Sequence, residues 1–198
     1  MTAPHASALS DGSALSDGVT LTGDRVRLRE FRTDDLDDCM AVVGDERVVR
    51  YLSFEPRNRD EIVSMLAGTI ERARLVPRTE YYLGITLPTV NRVIGFARLG
   101  LSGVRAAKLG YAIAFGYQRR GYATDAARTL LNFAFGPLDL HRVTAAIGPD
   151  NTASQAVVAR LGFTREGRLR DHVYTDGGWR DSDLFSVLAQ EWFASASA

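Results

Sequence analysis

At 198 residues the chain is long enough to bury a full core as one domain without disulfide or metal staples. Its 24 basic and 24 acidic side chains cancel, which removes bulk attraction to nucleic acid or anionic lipid. The single cysteine, Cys39, excludes an internal disulfide, and no apolar run approaches the roughly 18 residues that cross a bilayer.

Residues 1–18 hold a tandem SALSDG repeat (Ser7 to Gly12, Ser13 to Gly18), too polar to bury apolar surface, so a disordered tail is expected there. It lacks a basic stretch followed by an apolar one, which argues against a signal peptide and for a cytoplasmic protein. A single folded domain is expected over residues 19–198. Val19 to Phe31 reads as a strand turning at Gly23-Asp24, with Val26 and Leu28 alternating against Arg25, Arg27 and Arg29. Thr33 is expected to cap a short helix carrying Asp34, Asp35, Asp37 and Asp38. Their spacing fits no calcium loop, so the acids read as capping groups and no metal is expected. Cys39, among Leu36, Met40 and Val43, reads as a packing thiol. Asn58 followed by Glu61 opens a second helix with an Ile62, Leu66, Ile70 stripe.

Three strands follow, Tyr81 to Leu87, Arg92 to Leu101 and Ala106 to Phe115, separated by turn residues that favour antiparallel pairing. A helix over Ala123 to Phe135, a strand over His141 to Ile147, a helix from Asn151 to Gly162 and two closing strands around Asp176-Gly177-Gly178 complete an α+β pattern. The densest signal is Gln118-Arg119-Arg120-Gly121-Tyr122-Ala123, set between a strand and a helix. A tight glycine turn there gathers free backbone N–H groups at the positive end of a helix dipole and makes a site for phosphate or pyrophosphate. Neither G-x-G-x-x-G nor G-x-x-x-x-G-K-[ST] is present, so the two common nucleotide loops are excluded.

That six-residue stretch, with Gly110-Tyr111-Ala112-Ile113 before it and Asn151-Thr152-Ala153-Ser154 and Arg160-Leu161-Gly162-Phe163 after it, resembles the GNAT-type N-acetyltransferases. The tail Asp176-Gly177-Gly178-Trp179-Arg180-Asp181 is similar to the RimJ/RimL-like branch that acetylates ribosomal-protein N-termini. The resemblance spans about Val19 to Trp192. It implies a central mixed, mostly antiparallel sheet of about seven strands, splayed in the middle, with helices on both faces. It implies acetyl-CoA as co-substrate and a primary amine as acceptor, in some relatives a homodimer. Gln118, Arg119, Arg120, Gly121, Tyr122, Ala123 and Thr124 would take the pyrophosphate. Ala112, Ile113 and Ala114 would pair with the pantetheine arm, and Asn151 and Ser154 would flank it.

Two positions depart from the family pattern. The tyrosine that reprotonates the thiolate in many relatives is Val158 here, which leaves Ser154 as the candidate acid. The acidic residue often found before Gly-Tyr is Lys108. Glu30, Asp171, His172 and Tyr174 remain as candidate bases, of which an imidazole changes charge closest to neutral pH. Near pH 7.5 a lysine amine is only ~0.1% neutral and an α-amine about one-third neutral, a difference of about 3.5 kcal/mol. A site without a strong base therefore suits an N-terminal α-amine or another amine of low pKa. The missing tyrosine and Lys108 also keep open a catalytically silent acyl-CoA-binding or sensory module. RNA binding through Arg119 and Arg120 is disfavoured by zero net charge.

Overall fold

A computed structural model describes residues 18–195. The repeat tail expected over residues 1–18 lies, but for Gly18, outside the described residues. The segment from Val19 to Phe31 forms two strands, β1 (Thr20–Thr22) and β2 (Arg27–Glu30), because the Gly23-Asp24 turn folds it into a hairpin. With β3 (Glu80–Leu87), β4 (Val90–Leu101), β5 (Ala106–Ile113), β6 (Arg142–Ile147), β7 (Thr164–Thr175) and β8 (Gly178–Leu188), the sheet has eight strands in the order β1-β2-β3-β4-β5-β6-β8-β7. Every pairing is antiparallel except β5 with β6, and that one covers only Ala106–Lys108 against Arg142–Thr144. Beyond Lys108 the two strands run on unpaired, and the sheet opens between them.

The helices are α1 (Leu36–Val43), α2 (Glu46–Val49), α3 (Arg59–Arg72), α4 (Tyr122–Phe135), α5 (Thr152–Arg160) and α6 (Ala189–Ser195). The alternating side chains of the strands sort them onto two faces. Leu99, Leu109, Ile113, Val143 and Ala145 face α4, α5 and α6, in a core that includes fully buried Leu130 and Leu131. Phe96, Ala112 and Ala114 face α1 and α3, in a second core that buries Cys39, Val42 and Ile62. Cys39 is a packing thiol, and its burial pushes its pKa up to about 12.

Asn58 and Glu61 close a reciprocal capping box at the start of α3. The expected cap at Thr33 is replaced by a different device. Asp35 is buried, accepts the backbone N–H of Arg32 at 2.7 Å and forms a two-pronged ion pair with buried Arg29 at 2.7 and 2.8 Å. Asp37 pairs with Arg59 and Asp38 with Arg92, so three of the four clustered acids are held by arginines. Gly162, with φ at +77°, ends α5 in the left-handed conformation.

Candidate active site

The loop expected to hold a phosphate stands where the chain leaves β5 and enters α4. Arg119 (φ +62°) and Gly121 (φ +80°) are both left-handed, which curls the backbone so that successive N–H groups point the same way. Gly121 occupies the N-cap of α4 and supplies no side-chain cap. The first helical bond runs from Asp125 N–H to Gly121 O (3.0 Å), and among the described residues the N–H groups from Arg119 to Thr124 meet no acceptor. They sit at the positive end of a 14-residue helix. The Gln118 side chain faces the other way and donates to Ile113 O at 3.0 Å, tying the loop to the end of β5. The Arg25 guanidinium donates to Arg120 O at 3.3 Å and braces the loop from the first hairpin.

The strand edge beside this loop has no neighbouring strand beyond Lys108. The N–H groups of Ala114 and Ser102 bond to Ile94 O and Ala106 O, so backbone groups at even-numbered β5 positions are spent on β4. By alternation, Tyr111 and Ile113 turn their backbone groups toward the gap between β5 and β6, where the Ile113 carbonyl is taken by the Gln118 amide and its N–H stays open. Of the three residues expected to pair with a pantetheine arm, Ile113 therefore faces the gap, while Ala112 and Ala114 face β4. Tyr111, not expected in this role, faces the gap with Ile113. Its ring belongs to the same region: the phenol donates to Ser154 O at 3.2 Å, joining β5 to the first turn of α5. Asn151 caps that turn by accepting Ser154 N–H at 3.1 Å.

On the opposite side of the sheet a cleft of about 1890 Å³ runs beneath α3 and the segment from Arg50 to Phe54 into the gap. Gly110, Tyr111, Asn151, Ser154 and His172 line it. A Cβ built at Gly110 would meet nothing within 4 Å, so the cleft floor is open at that point. The loop lies at the head of α4 on the other face, so the two approach the gap from opposite sides. His172 reaches the cleft through an irregularity in β7: the register with β8 jumps between Leu169 and Val173, leaving three residues opposite Asp181. Asp171 sits in that bulge with φ at +49° and donates its N–H to the Asp181 carboxylate at 3.0 Å. His172 Nδ1 lies 3.0 Å from Ser182 Oγ.

The candidate acid and bases are thus divided. Ser154 and His172 share the cleft, whereas Asp171 is turned out by the bulge. Tyr174 is 59% exposed and packs edge-on against Trp179 at the hairpin tip, with a centroid separation of 5.3 Å. Glu30 is committed to Arg78 at 2.8 Å and is not part of the cleft lining. Three further arginines at the cleft were not among the expected site residues. Arg180 crosses the cleft to donate to Arg50 O at 2.9 Å and Leu52 O at 2.7 Å. Arg72 and Arg98 grip Glu80 on its floor. Among the described residues no cluster of ligating side chains could hold a metal ion, and no helix is long and apolar enough to cross a membrane.

An open sheet parted in its middle, with an uncapped helix start on one side of the opening and a cleft on the other, is the architecture of an acyltransferase that draws on a thioester donor. Residues 25–164 match the Acetyltransferase (GNAT) domain family, and the chain belongs to it, as an acetyl-CoA-dependent N-acetyltransferase. It is 25% identical over 176 residues to Uncharacterized N-acetyltransferase YnaD of Bacillus subtilis (strain 168), covering 87% of this chain and 98% of that protein. It is 30% identical over 115 residues to the ribosomal protein uS5-alanine N-acetyltransferase of Escherichia coli (strain K12), 57% of this chain and 59% of that protein. The solved structure of Mycobacterium smegmatis RimJ in complex with CoA-disulfide has the same fold, with a TM-score of 0.73 at 24% identity over 90% of this chain and 94% of that one.

Proposed function

We propose that the protein acetylates an N-terminal α-amine, or a small amine of similarly low pKa, in the cytoplasm, with residues 19–198 acting as a single catalytic domain. The observation that carries the assignment of the site is the edge of β5 at Tyr111 and Ile113, unpaired with β6 and open save for the Ile113 carbonyl, which runs from the uncapped loop to the cleft. A pantetheine arm has amides to pair with such an edge, and a pyrophosphate matches the N–H groups of Arg119 to Thr124, so the residues present fit the donor.

Acetyl-CoA, when bound, supplies an acyl carbon activated by a thiolate leaving group. The Ile113 N–H faces the gap where the thioester oxygen would lie. As a donor to developing negative charge it is worth roughly 3 kcal/mol in the transition state. His172 is the cleft residue able to take the proton released when the amine nitrogen bonds to the acyl carbon, with Ser182 holding its Nδ1 and leaving Nε2 for the amine. As the carbon–sulfur bond breaks, the Ser154 hydroxyl is placed to return a proton to sulfur. Tyr111 positions Ser154 through its carbonyl.

The test is to follow free thiol from acetyl-CoA across a panel of peptides and small amines, and to locate the acetyl group by mass spectrometry. The expected result is thiol release with acetylation at the α-amine, at least tenfold faster than at a lysine ε-amine in the same peptide, as the gap between their ordinary pKa values of about 7.8 and about 10.4 requires. Tight coenzyme A binding without thiol release on any amine would instead identify a silent acyl-CoA-binding module.

A further inference from the structure

The turn between β1 and β2 is built onto the start of α4. Asp125, buried in the first turn of that helix, accepts the backbone N–H groups of Arg25 at 2.7 Å, Val26 at 3.0 Å and Asp24 at 3.3 Å. Donors from three successive residues on one carboxylate fix the direction in which the turn leaves the sheet. Gly23 rests against the same place, where an added Cβ would meet Thr129 Oγ1 at 2.4 Å and Asp125 Oδ2 at 2.7 Å. Any side chain at position 23 would therefore push the carboxylate or the hydroxyl aside.

What this turn carries out to the loop is the Arg25 side chain. Its Nη1 donates to Arg120 O at 3.3 Å and would lie 3.9 Å from a Cβ at Gly121, so the guanidinium stands beside the N-cap of α4. A guanidinium has five N–H donors, and that long bond uses one of them. The side chain is exposed, and neither Asp24 nor Asp125 forms an ion pair with it. Arg120, from the loop itself, turns its guanidinium over the Tyr117 ring, 5.9 Å from the centroid. Arg25 thus brings an unbalanced positive charge and a fork of parallel donors to backbone N–H groups that have no acceptor. Together these suit a phosphate, since the N–H groups give direction and the guanidinium adds charge and two-pronged geometry.

We propose that Arg25 binds the pyrophosphate of the coenzyme A donor, and that Asp125 is the positioning residue that holds Arg25 at the loop. This rests on the donor site assigned above and extends it to a residue 95 positions before Arg120.

Titration calorimetry on the full chain gives Kd for coenzyme A and for 3′-dephospho-coenzyme A, which keeps the pyrophosphate and lacks the ribose phosphate. Arg25→Gln should raise both values about tenfold, the worth of a hydrogen bond between charged groups. Arg25→Lys, which keeps the charge and loses the fork, should raise them about threefold. Asp125→Asn should also raise both, and adding Arg25→Gln to it should cost less than about twofold more, because the guanidinium is then no longer held in place. In turnover the loss should fall on the acetyl-CoA KM rather than on kcat. A merely structural Asp125 would lower the melting temperature and leave the two effects multiplying, which overturns its positioning role. An unchanged Kd in Arg25→Gln, or a loss confined to coenzyme A, overturns the pyrophosphate contact while wild-type binding stands. The exposed Arg25 side chain keeps that outcome readable even where Asp125→Asn does not fold. Absence of coenzyme A binding by the wild type overturns the donor site and the Arg25 contact with it.

Discussion

Ser154 is held from two sides at the backbone and left free at the side chain. Asn151 Oδ1 takes its N–H and the Tyr111 phenol donates to its carbonyl, while its hydroxyl meets no partner among the described residues. A hydroxyl fixed in position yet unspent is what proton delivery to a leaving thiolate needs. Burial pushes the Tyr111 phenol up to about 12, against a smaller opposing effect of its bond to Ser154, so it remains a donor throughout an ordinary assay range. Ser154→Ala should lower kcat about 100-fold and leave the acetyl-CoA Kd within about threefold. Tyr111→Phe should cost only about 5- to 10-fold in kcat, the worth of one hydrogen bond, and should add no limb to the profile between about pH 6 and about pH 10. Steady-state kinetics and titration calorimetry separate these outcomes. Parallel losses of kcat and donor affinity in Ser154→Ala would place the hydroxyl in binding rather than proton transfer.

Among the elements, the β7–β8 hairpin does most to shape the acceptor side. The bulge around Asp171 re-aims His172, and Asp181 pins the bulge by taking the Asp171 N–H. One position before Asp181, Arg180 straps the segment after α2 across the cleft through two carbonyls. Hydrogen bonds from a charged donor contribute about 1.5–3 kcal/mol when well formed, and half-exposed ones less. Arg180→Ala should therefore raise the acceptor KM about tenfold with donor affinity unchanged, and should make the chain near Tyr51 susceptible to limited proteolysis. An unchanged acceptor KM would mean that the strap does not govern acceptor entry. Much of the element inventory was legible beforehand, because its signals are local: the Asn58–Glu61 box, the apolar period of α4, the glycine at the end of α5. The turn at Gln118 to Gly121 was legible for the same reason. The bulge was not, since it exists only relative to β8, and α2 and α6 are too short to declare a period. Arg29 reads as a solvent-facing residue in an alternating strand, and only the fold brings Asp35 beneath it. The placement of His172 in the cleft and of Asp171 and Tyr174 outside it was hidden for a related reason: it depends on how the closing hairpin is bent.

At the scale of the whole molecule, the Arg72–Glu80–Arg98 cluster links α3, β3 and β4 and so joins helix to sheet. Burial alone would raise the Glu80 pKa, but the hydrogen bonds from Arg72 and Arg98 together outweigh it and hold the carboxyl below its ordinary value of 4.5. The unfolded chain then binds a proton more readily than the folded one. The stabilisation is present above about pH 4.5 and is lost as pH falls through the lower folded value. Glu80→Gln should therefore be less stable than wild type at neutral pH, and the gap between their urea midpoints should close as the pH falls below about 4.5. A gap that persists undiminished into acid would assign the loss to packing instead.

Asp125, buried in the first turn of α4, takes the N–H groups of Asp24, Arg25 and Val26, residues that precede it by 99 to 101 positions. The helix that follows the proposed donor loop is thereby locked to the β1–β2 hairpin. On a ribosome adding roughly 5–20 residues per second, that hairpin emerges about 5–20 s before the carboxylate that secures it. During synthesis its turn has only water for those three N–H groups, and the proposed coenzyme site is among the later parts of the molecule to become rigid. An enzyme with a relative named for a ribosomal protein thus completes its proposed donor site only after most of its sheet has left a ribosome.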